Sequence, residues 1–152
     1  MRLRHTISAL TLSAVGLLAI ANFEGYSDVV YEPVRGDVPT VGFGHADKNL
    51  RVGDRINPLT GLEYLAQDLK DAEDAVKACV TVPLTQNEFD AYVSFVYNVG
   101  RTAFCSSTLV KKLNRGDYRG ACEELPRWVY FKGKPLKGLQ NRREEERDRC
   151  VR

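Results

Sequence analysis

The 152-residue sequence is poor in the residues that build metal sites. It contains four cysteines and two histidines, and no two cysteines form a C-x-x-C pair. Structural zinc sites are built from closely spaced ligands of this kind, so we expect no metal and no other cofactor. The net charge of +2 is also small. It argues against nucleic acid as a partner, because nucleic-acid binding relies on a strongly basic surface.

Internal repeats and low-complexity linkers are absent as well. A chain of this length suffices for one domain with a moderate core, which may be divided into two lobes, and leaves little room for a second independent domain. We therefore expect a single functional unit.

Charged residues are missing from residues 6–23, a stretch that follows Arg2 and Arg4. A basic flank followed by an apolar run is typical of an export signal, and 18 residues lie near the lower limit of about 20 for a membrane-spanning helix. The positive end stays in the cytoplasm, so the sequence predicts inner-membrane association through residues 6–23, with the remainder of the chain in the periplasm.

Half of this run consists of small residues, which predicts weak and reversible insertion. They are Thr6, Ser8, Ala9, Thr11, Ser13, Ala14, Gly16, Ala19 and Ala21. The alternative is a cleaved signal peptide, since Ala19 and Ala21 form the A-x-A pattern. Cleavage there would leave Glu24 as the third residue of a frayed terminus. We favour an uncleaved signal-anchor over residues 1–23, followed by a catalytic domain over residues 24–152.

The cysteines all lie downstream of this run, and they are Cys79, Cys105, Cys122 and Cys150. An even number of cysteines after an export signal predicts one or two disulfides, with four buried free thiols as the alternative. Three complete pairings exist, and the sequence does not choose between them.

Hydrophobic periodicity predicts an α+β fold. Residues 31–56 are rich in glycine, proline and β-formers and predict a small antiparallel sheet, whereas residues 59–79 predict one long amphipathic helix. Thr85 and Glu88 form a capping box for a helix that Gly100 ends. Two short helices over 107–114 and 117–125 and a solvated helix over 142–149 are also expected. This order predicts a sheet lobe and a mostly helical lobe joined by the long helix, with a ligand cleft between the lobes.

Glu24 is the first candidate catalytic residue, because it directly follows the uncharged run. Glycoside hydrolysis needs two carboxyl groups, one of them protonated as the general acid. Apolar surroundings favour the protonated form of a carboxyl group, and Phe23 and Gly25 flank this residue. The alternative role is an exposed residue at the membrane interface.

The residues after Glu24 resemble the phage-type lysozymes of glycoside hydrolase family 24. In that family a glutamate at a helix end precedes a hairpin ending in T-x-G-x-G-H, and here Glu24-Gly25 and Tyr31 precede P-T-V-G-F-G-H over residues 39–45. The resemblance continues through residues 84–91, 95–100 and 138–143. It covers nearly the whole chain after Asn22.

This resemblance implies a lysozyme-like fold and an N-acetylmuramidase that cleaves the β-1,4 bond between N-acetylmuramic acid and N-acetylglucosamine in peptidoglycan. Glu24 would be the proton donor and Thr40 would hold the attacking water, whereas His45 would mostly shape the hairpin. Tyr97 is a candidate substrate contact, with a core position as the equal alternative. Trp128 is expected to pack between helices. A monomer is the default for the family.

The second carboxylate departs from the family pattern. Family members usually place Asp or Cys nine residues after the glutamate, and this chain has Pro33 there. Asp37, in the same hairpin turn before Thr40, is our candidate. Its alternative role is turn formation, since Gly-Asp pairs favour turns.

The weakly apolar N-terminal segment together with this family pattern resembles the signal-arrest-release endolysins. These are exported without cleavage, remain inactive while tethered, and act in host cell lysis once the segment leaves the membrane. No cysteine lies in the segment, which excludes control by a thiol there. Two further hypotheses remain at this point. One is a non-hydrolytic wall-binding or membrane-tethered module, and the other is a lytic transglycosylase.

Overall fold

The structure is a computed structural model that describes residues 3–152. Arg2, which belongs to the predicted basic flank, lies outside the described residues. The chain divides into two compact units. One comprises the N-terminal residues as far as Gly16 together with Asp71–Arg152, and the other comprises Leu17–Lys70.

The N-terminal run forms a 3-10 turn, Ile7–Ala9, and helix α1, Ala14–Glu24. Leu10 and Ile20 are buried, whereas Val15 and Leu18 are exposed. Within residues 3–152, no helix has both the length and the apolarity that crossing a bilayer requires.

The unit Leu17–Lys70 contains the predicted antiparallel sheet. Its strands, in spatial order, are β1 (Ser27–Tyr31), β2 (Thr40–Gly42) and β3 (His45–Ala46). The sheet begins at Ser27, four residues before the predicted start, because Val30 is buried and its backbone bonds to the chain near Asp54. Tyr31 pairs with Thr40, and Ser27 pairs with Gly42.

The predicted long helix is present as two consecutive helices, α2 (Pro58–Asp68) and α3 (Lys70–Cys79). The residue between them, Leu69, has a ψ of −11°, although its N–H still donates to the carbonyl of Leu65 at 3.0 Å. Its side chain is fully buried. Packing thus holds Leu69 in a conformation that the regular spacing of apolar residues does not anticipate.

The other unit is built around α4, Gln86–Val99, which is buried on all sides from Glu88 to Val96. The predicted capping box is confirmed. The amide of Glu88 donates to Thr85 Oγ1 at 3.1 Å, and the amide of Thr85 donates to Glu88 Oε2 at 2.8 Å. Gly100 ends the helix with a φ of +88°, a conformation that glycine adopts readily.

Short elements follow α4. They are α5 (Arg101–Cys105), α6 (Thr108–Asn114), α7 (Tyr118–Cys122), a 3-10 turn at Leu125–Arg127 and a hairpin of β4 (Tyr130–Phe131) with β5 (Lys134–Pro135). Helix α7 ends before the predicted residue 125, since Pro126 lies in the 3-10 turn and cannot continue an α-helical hydrogen-bond ladder. The sequence did not predict the hairpin.

The last helix, α8, runs over Lys137–Val151 and is not the fully solvated helix that its charge predicts. Three of its charged residues are buried because they neutralise one another: Glu146 lies 3.2 Å from Arg142 Nε and 3.1 Å from Arg143 Nε. Ser94 Oγ on α4 donates to Glu146 at 2.6 Å. Arg143 Nη2 donates to Asn98 Oδ1 at 2.8 Å. The buried charges therefore tie α8 to α4.

Burial shifts the ionisation of this pair. It lowers the pKa of the Arg143 guanidinium to about 10, although the nearby Glu146 carboxylate acts in the opposite direction. Burial also raises the pKa of Glu146, against the influence of Arg143, Ser94 and Arg142. Both directions reflect the cost of removing a charge from water.

Two disulfides cross-link residues of the same unit. They confirm the expected disulfide pairing and show which cysteines are bonded to each other. Cys79 pairs with Cys105 and Cys122 pairs with Cys150, with Cα–Cα distances of 5.5 Å and 5.7 Å. The second bridge joins α7 to α8.

Candidate active site

Glu24 is the last residue of α1, and Gly25 ends the helix with a φ of +69°. The Glu24 side chain is half-buried and lines an open cavity of about 490 Å³. The other lining residues are Gly25, Tyr26, Ser27, Tyr31, Gly42 and Gly44. All of them belong to the unit Leu17–Lys70. The predicted combination of a helix-end glutamate and a glycine-containing hairpin is therefore present around one cavity.

The glycines of the hairpin are required by the backbone. Gly42 has a φ of +65°, and a Cβ there would lie 3.1 Å from the Cα of Gly61 in α2. Gly44 has a φ of +91° in the turn between β2 and β3. Both conformations favour glycine, and neither residue places a side chain in the cavity.

Two tyrosines of the cavity were not among the predicted site residues. The Tyr26 ring packs on Phe43 with centroids 5.0 Å apart, and its hydroxyl donates to the carbonyl of Ile56 at 3.3 Å. Tyr31 is 43% exposed. Tyrosine presents an apolar face and a polar tip, which suits contact with a sugar ring. The available sequence indication was the presence of two aromatic residues soon after Glu24.

Thr40 begins β2 and is buried, and its Oγ1 donates to the carbonyl of Val38 at 3.0 Å. It pairs with Tyr31 across the hairpin. Side chains two residues apart in a strand share a face, so Thr40 lies on the same face of β2 as Gly42. It is next to the cavity wall without being one of its lining residues.

Asp37 lies in the exposed turn between β1 and β2. Its amide donates to the carbonyl of Val34 at 2.9 Å, and its Oδ1 accepts from the amide of Val38 at 2.9 Å. These bonds are those of a turn-forming aspartate. Asp37 does not line the cavity that contains Glu24, so the structure places the two carboxyl groups in the same unit but not on one cavity wall.

His45 links β3 to the end of α2. Its Nδ1 lies 3.0 Å from an Asp68 carboxylate oxygen, and its ring stacks on Tyr64 with centroids 4.3 Å apart. These contacts agree with the expected structural role of His45 in the hairpin.

Tyr97 and Trp128 belong to the other unit. Tyr97 is half-buried in the last turn of α4. Trp128 packs edge-on against Phe95, with centroids 5.2 Å apart, as expected for an interhelical residue. It also lines a second cavity of about 450 Å³, to which Tyr97 does not contribute.

Comparison with known proteins assigns the chain to a family. The family model described as phage lysozyme matches residues 21–146. The chain belongs to the phage lysozyme family. That match contains Glu24 and the whole glycine-containing hairpin, so the resemblance predicted from these residues is confirmed.

Individual relatives extend over nearly the whole phage lysozyme chain. An endolysin of Acyrthosiphon pisum secondary endosymbiont phage 1 is 41% identical, covering 90% of this chain and 94% of the relative. A SAR-endolysin of bacteriophage PS119 is 36% identical, covering 94% and 87%. The solved endolysin of Escherichia coli O157:H7 phage FAHEc1 is 36% identical over 98% of this chain and 96% of its own, with a TM-score of 0.83.

These relatives confirm the predicted lysozyme-like α+β fold of a small sheet and a mostly helical part. They also support a lytic function and a glycoside hydrolase of lysozyme type. Several relatives are SAR-endolysins, in agreement with the resemblance seen in the N-terminal segment.

Proposed function

We propose that this phage lysozyme is an endolysin that hydrolyses the β-1,4 bond between N-acetylmuramic acid and N-acetylglucosamine of peptidoglycan and thereby lyses the host cell. The observation that carries the proposal is the position of Glu24. Its carboxyl group lies at a helix end on the wall of an open cavity whose other lining residues are mostly glycines and tyrosines. A sugar ring fits where glycine leaves space and tyrosine provides a flat apolar face.

Glu24 acts as the general acid in this proposal. Cleavage of a glycosidic bond requires a proton on the leaving oxygen, and a half-buried carboxyl group beside the cavity supplies it. Water is the nucleophile. The attacking water loses its proton to a second carboxylate as the bond to the sugar forms.

Asp37 and Thr40 prepare that water. One Asp37 oxygen accepts the amide of Val38, and a carboxylate has a second oxygen that accepts from water. The Thr40 hydroxyl donates its hydrogen to the carbonyl of Val38, which leaves its two lone pairs as acceptors for a hydrogen from water. The amide of Val38 thus holds Asp37, the residue before it, and the carbonyl of Val38 holds Thr40, two residues after it.

Asp37→Asn is expected to lower wall clearing by about a hundredfold, because the amide cannot take a proton from water. Turbidity loss of a peptidoglycan suspension measures the effect. Asp54→Asn is the matched control, since Asp54 is also an exposed carboxylate of the unit Leu17–Lys70. Equal activity of the two folded variants would limit Asp37 to its turn and assign the second role elsewhere.

Tyr31 and Tyr97 contact the glycan in the proposal. Removing the exposed Tyr31 ring with Tyr31→Ala is expected to raise KM about tenfold, equivalent to about 1.4 kcal/mol of binding, with kcat less affected. Tyr31→Phe keeps the ring and should restore most of the lost affinity. A fall in kcat alone, with KM unchanged, would contradict a binding role.

The proposal also includes a tethered state. Residues 1–23 act as an uncleaved signal-anchor in the host inner membrane, with the N-terminus cytoplasmic, and the catalytic domain of residues 24–152 faces the periplasm. Helix α1 contains Ala14–Glu24, and most of these residues also belong to the uncharged run. They cannot lie in the bilayer and form this helix beside the cavity at the same time. The tethered enzyme is therefore inactive, and release into the periplasm assembles the site.

The test compares wall clearing by the membrane and soluble fractions of bacteria expressing the full chain. We expect activity only in the soluble fraction, and more of it after an ionophore collapses the membrane potential, the trigger that the family resemblance implies. Equal specific activity in both fractions would contradict the inactive tether. A folded soluble protein that binds peptidoglycan but clears none would favour the non-hydrolytic module.

A further inference from the structure

A buried carboxylate on α4 holds the beginning of α1. Asp90 is 2% exposed. Its Oδ1 accepts from the amide of Ser13 at 3.1 Å, and its Oδ2 accepts from Ser13 Oγ at 2.5 Å. Gln86 Nε2 donates to the same Oδ1 and to the carbonyl of Thr11, both at 2.8 Å. Both the main chain and the side chain of Ser13 are thereby fixed.

Ser13 in turn caps α1. Its Oγ accepts from the amide of Gly16 at 3.0 Å, and a serine hydroxyl in this position stabilises a helix start. Since α1 ends at Glu24, Asp90 acts on the opposite end of the helix that carries the proposed general acid.

Gly16 makes the close approach possible. A Cβ at this position would lie 2.7 Å from Asp90 Cγ and 2.8 Å from Leu12 Cδ1. A side chain there would force α1, the Asp90 carboxylate or Leu12 to shift. Glycine at position 16 therefore allows the contact between the start of α1 and Asp90. It also lowers the apolarity of the uncharged run.

A second acid of α4 binds the same segment. Arg4 donates to the two Glu88 carboxylate oxygens at 3.1 Å and 2.8 Å, and its guanidinium lies 3.5 Å from the Tyr118 ring centroid. The hydrogen bond to Glu88 raises the pKa of Arg4. Arg4 belongs to the basic flank of the signal-anchor, so in the proposed tethered state it lies across the bilayer from Glu88.

We propose that Asp90 and Glu88 form a receptor on α4 that captures the N-terminal segment after it leaves the membrane. This rests on the proposed tethered state. While residues 6–23 lie in the bilayer, Asp90 lacks both Ser13 donors and Glu88 lacks Arg4. A contact shifts an equilibrium only if it is made in one of the two states. These contacts are made only after release, so they favour the released, active form.

Asp90→Ala in the full chain tests the receptor, because this change leaves the membrane segment itself unaltered. After ionophore treatment of expressing bacteria, the ratio of soluble to membrane-bound variant should fall about tenfold relative to wild type. Asp74→Ala, at an exposed aspartate of the same unit, is the matched control and should behave as wild type. Glu88 is a poorer test, since it also belongs to the capping box of α4.

Hydrogen exchange of the soluble protein provides a readout that is independent of hydrolysis. The amides of α1 should exchange about tenfold faster in Asp90→Ala, whereas those of α8 should be unchanged. If Asp90→Ala does not fold, Gly16→Ala tests the same contact from the other side. Ser8→Ala, at an exposed position of the run, controls for increased apolarity.

Wild-type release together with wild-type protection of α1 in the folded variant would overturn the receptor. A wild-type chain that is never found in the membrane would overturn both the tether and the capture role. Wall clearing distinguishes these failures from that of the proposed hydrolysis. A chain that releases as expected but leaves peptidoglycan intact contradicts the muramidase and supports the receptor.

Discussion

Glu24→Gln is expected to reduce wall clearing by about a thousandfold, because the amide has no proton to give to the leaving oxygen. The substitution preserves the size of the side chain at the cavity wall, and a thermal melt checks that the variant is folded. Turbidity loss of peptidoglycan measures the activity.

Glu63→Gln is the matched control for this change, since Glu63 is an exposed glutamate on α2 of the same unit. It should clear the wall as wild type does. A folded Glu24→Gln protein with the activity of Glu63→Gln would show that the acid lies elsewhere, and the cavity would lose its assigned chemistry.

The largest effect on stability is expected at Glu146. Its carboxylate accepts from Ser94 and forms ion pairs with Arg142 and Arg143, all buried. Glu146→Gln removes the negative charge from this network and takes away the carboxylate that compensates the fully buried Arg143 guanidinium. Breaking a buried ion pair in this way costs about 3 to 5 kcal/mol. Urea unfolding followed by circular dichroism measures the change in the free energy of unfolding.

Glu145→Gln is the control for Glu146, because it makes the same change at an exposed position one residue away on α8. Its free energy of unfolding should stay close to that of wild type. A difference between the two variants of less than about 1 kcal/mol would show that water or local rearrangement compensates the arginines, and that α8 does not depend on this network.

Structural features that depend only on residues close together in the chain were predictable from the sequence. The Thr85 and Glu88 capping box lies within four residues, and Gly100 follows the helix that it ends. The position of Glu24 before the glycine-containing hairpin was predictable for the same reason. Each glycine there has a backbone conformation that few other residues adopt.

Features that depend on distant residues were not predictable. Residues 142–149 are all charged, so the local pattern predicts a solvated helix. The burial of Arg142, Arg143 and Glu146 depends on Ser94 and Asn98, more than 40 positions away in the chain. The disulfide partners depend in the same way on how α3, α5, α7 and α8 pack. The break between α2 and α3 at Leu69 could not be predicted either, because the regular spacing of apolar residues continues through this position.

The second carboxylate shows the limit of a family pattern. The family pattern placed an acid at position 33, and this sequence has proline there. Asp37 was chosen from its neighbourhood in the sequence, and the structure places it in the turn beside Thr40 and away from the wall that holds Glu24.

The most direct test of the account is the mass of the fragments that the released wild-type protein produces from purified peptidoglycan. A hydrolase that uses Glu24 as its acid leaves fragments ending in intact N-acetylmuramic acid, and Glu24→Gln leaves almost none. Fragments lighter by one water would identify an anhydro-sugar product and a lytic transglycosylase. Such a result, or fragments formed equally by both proteins, would contradict the proposed muramidase.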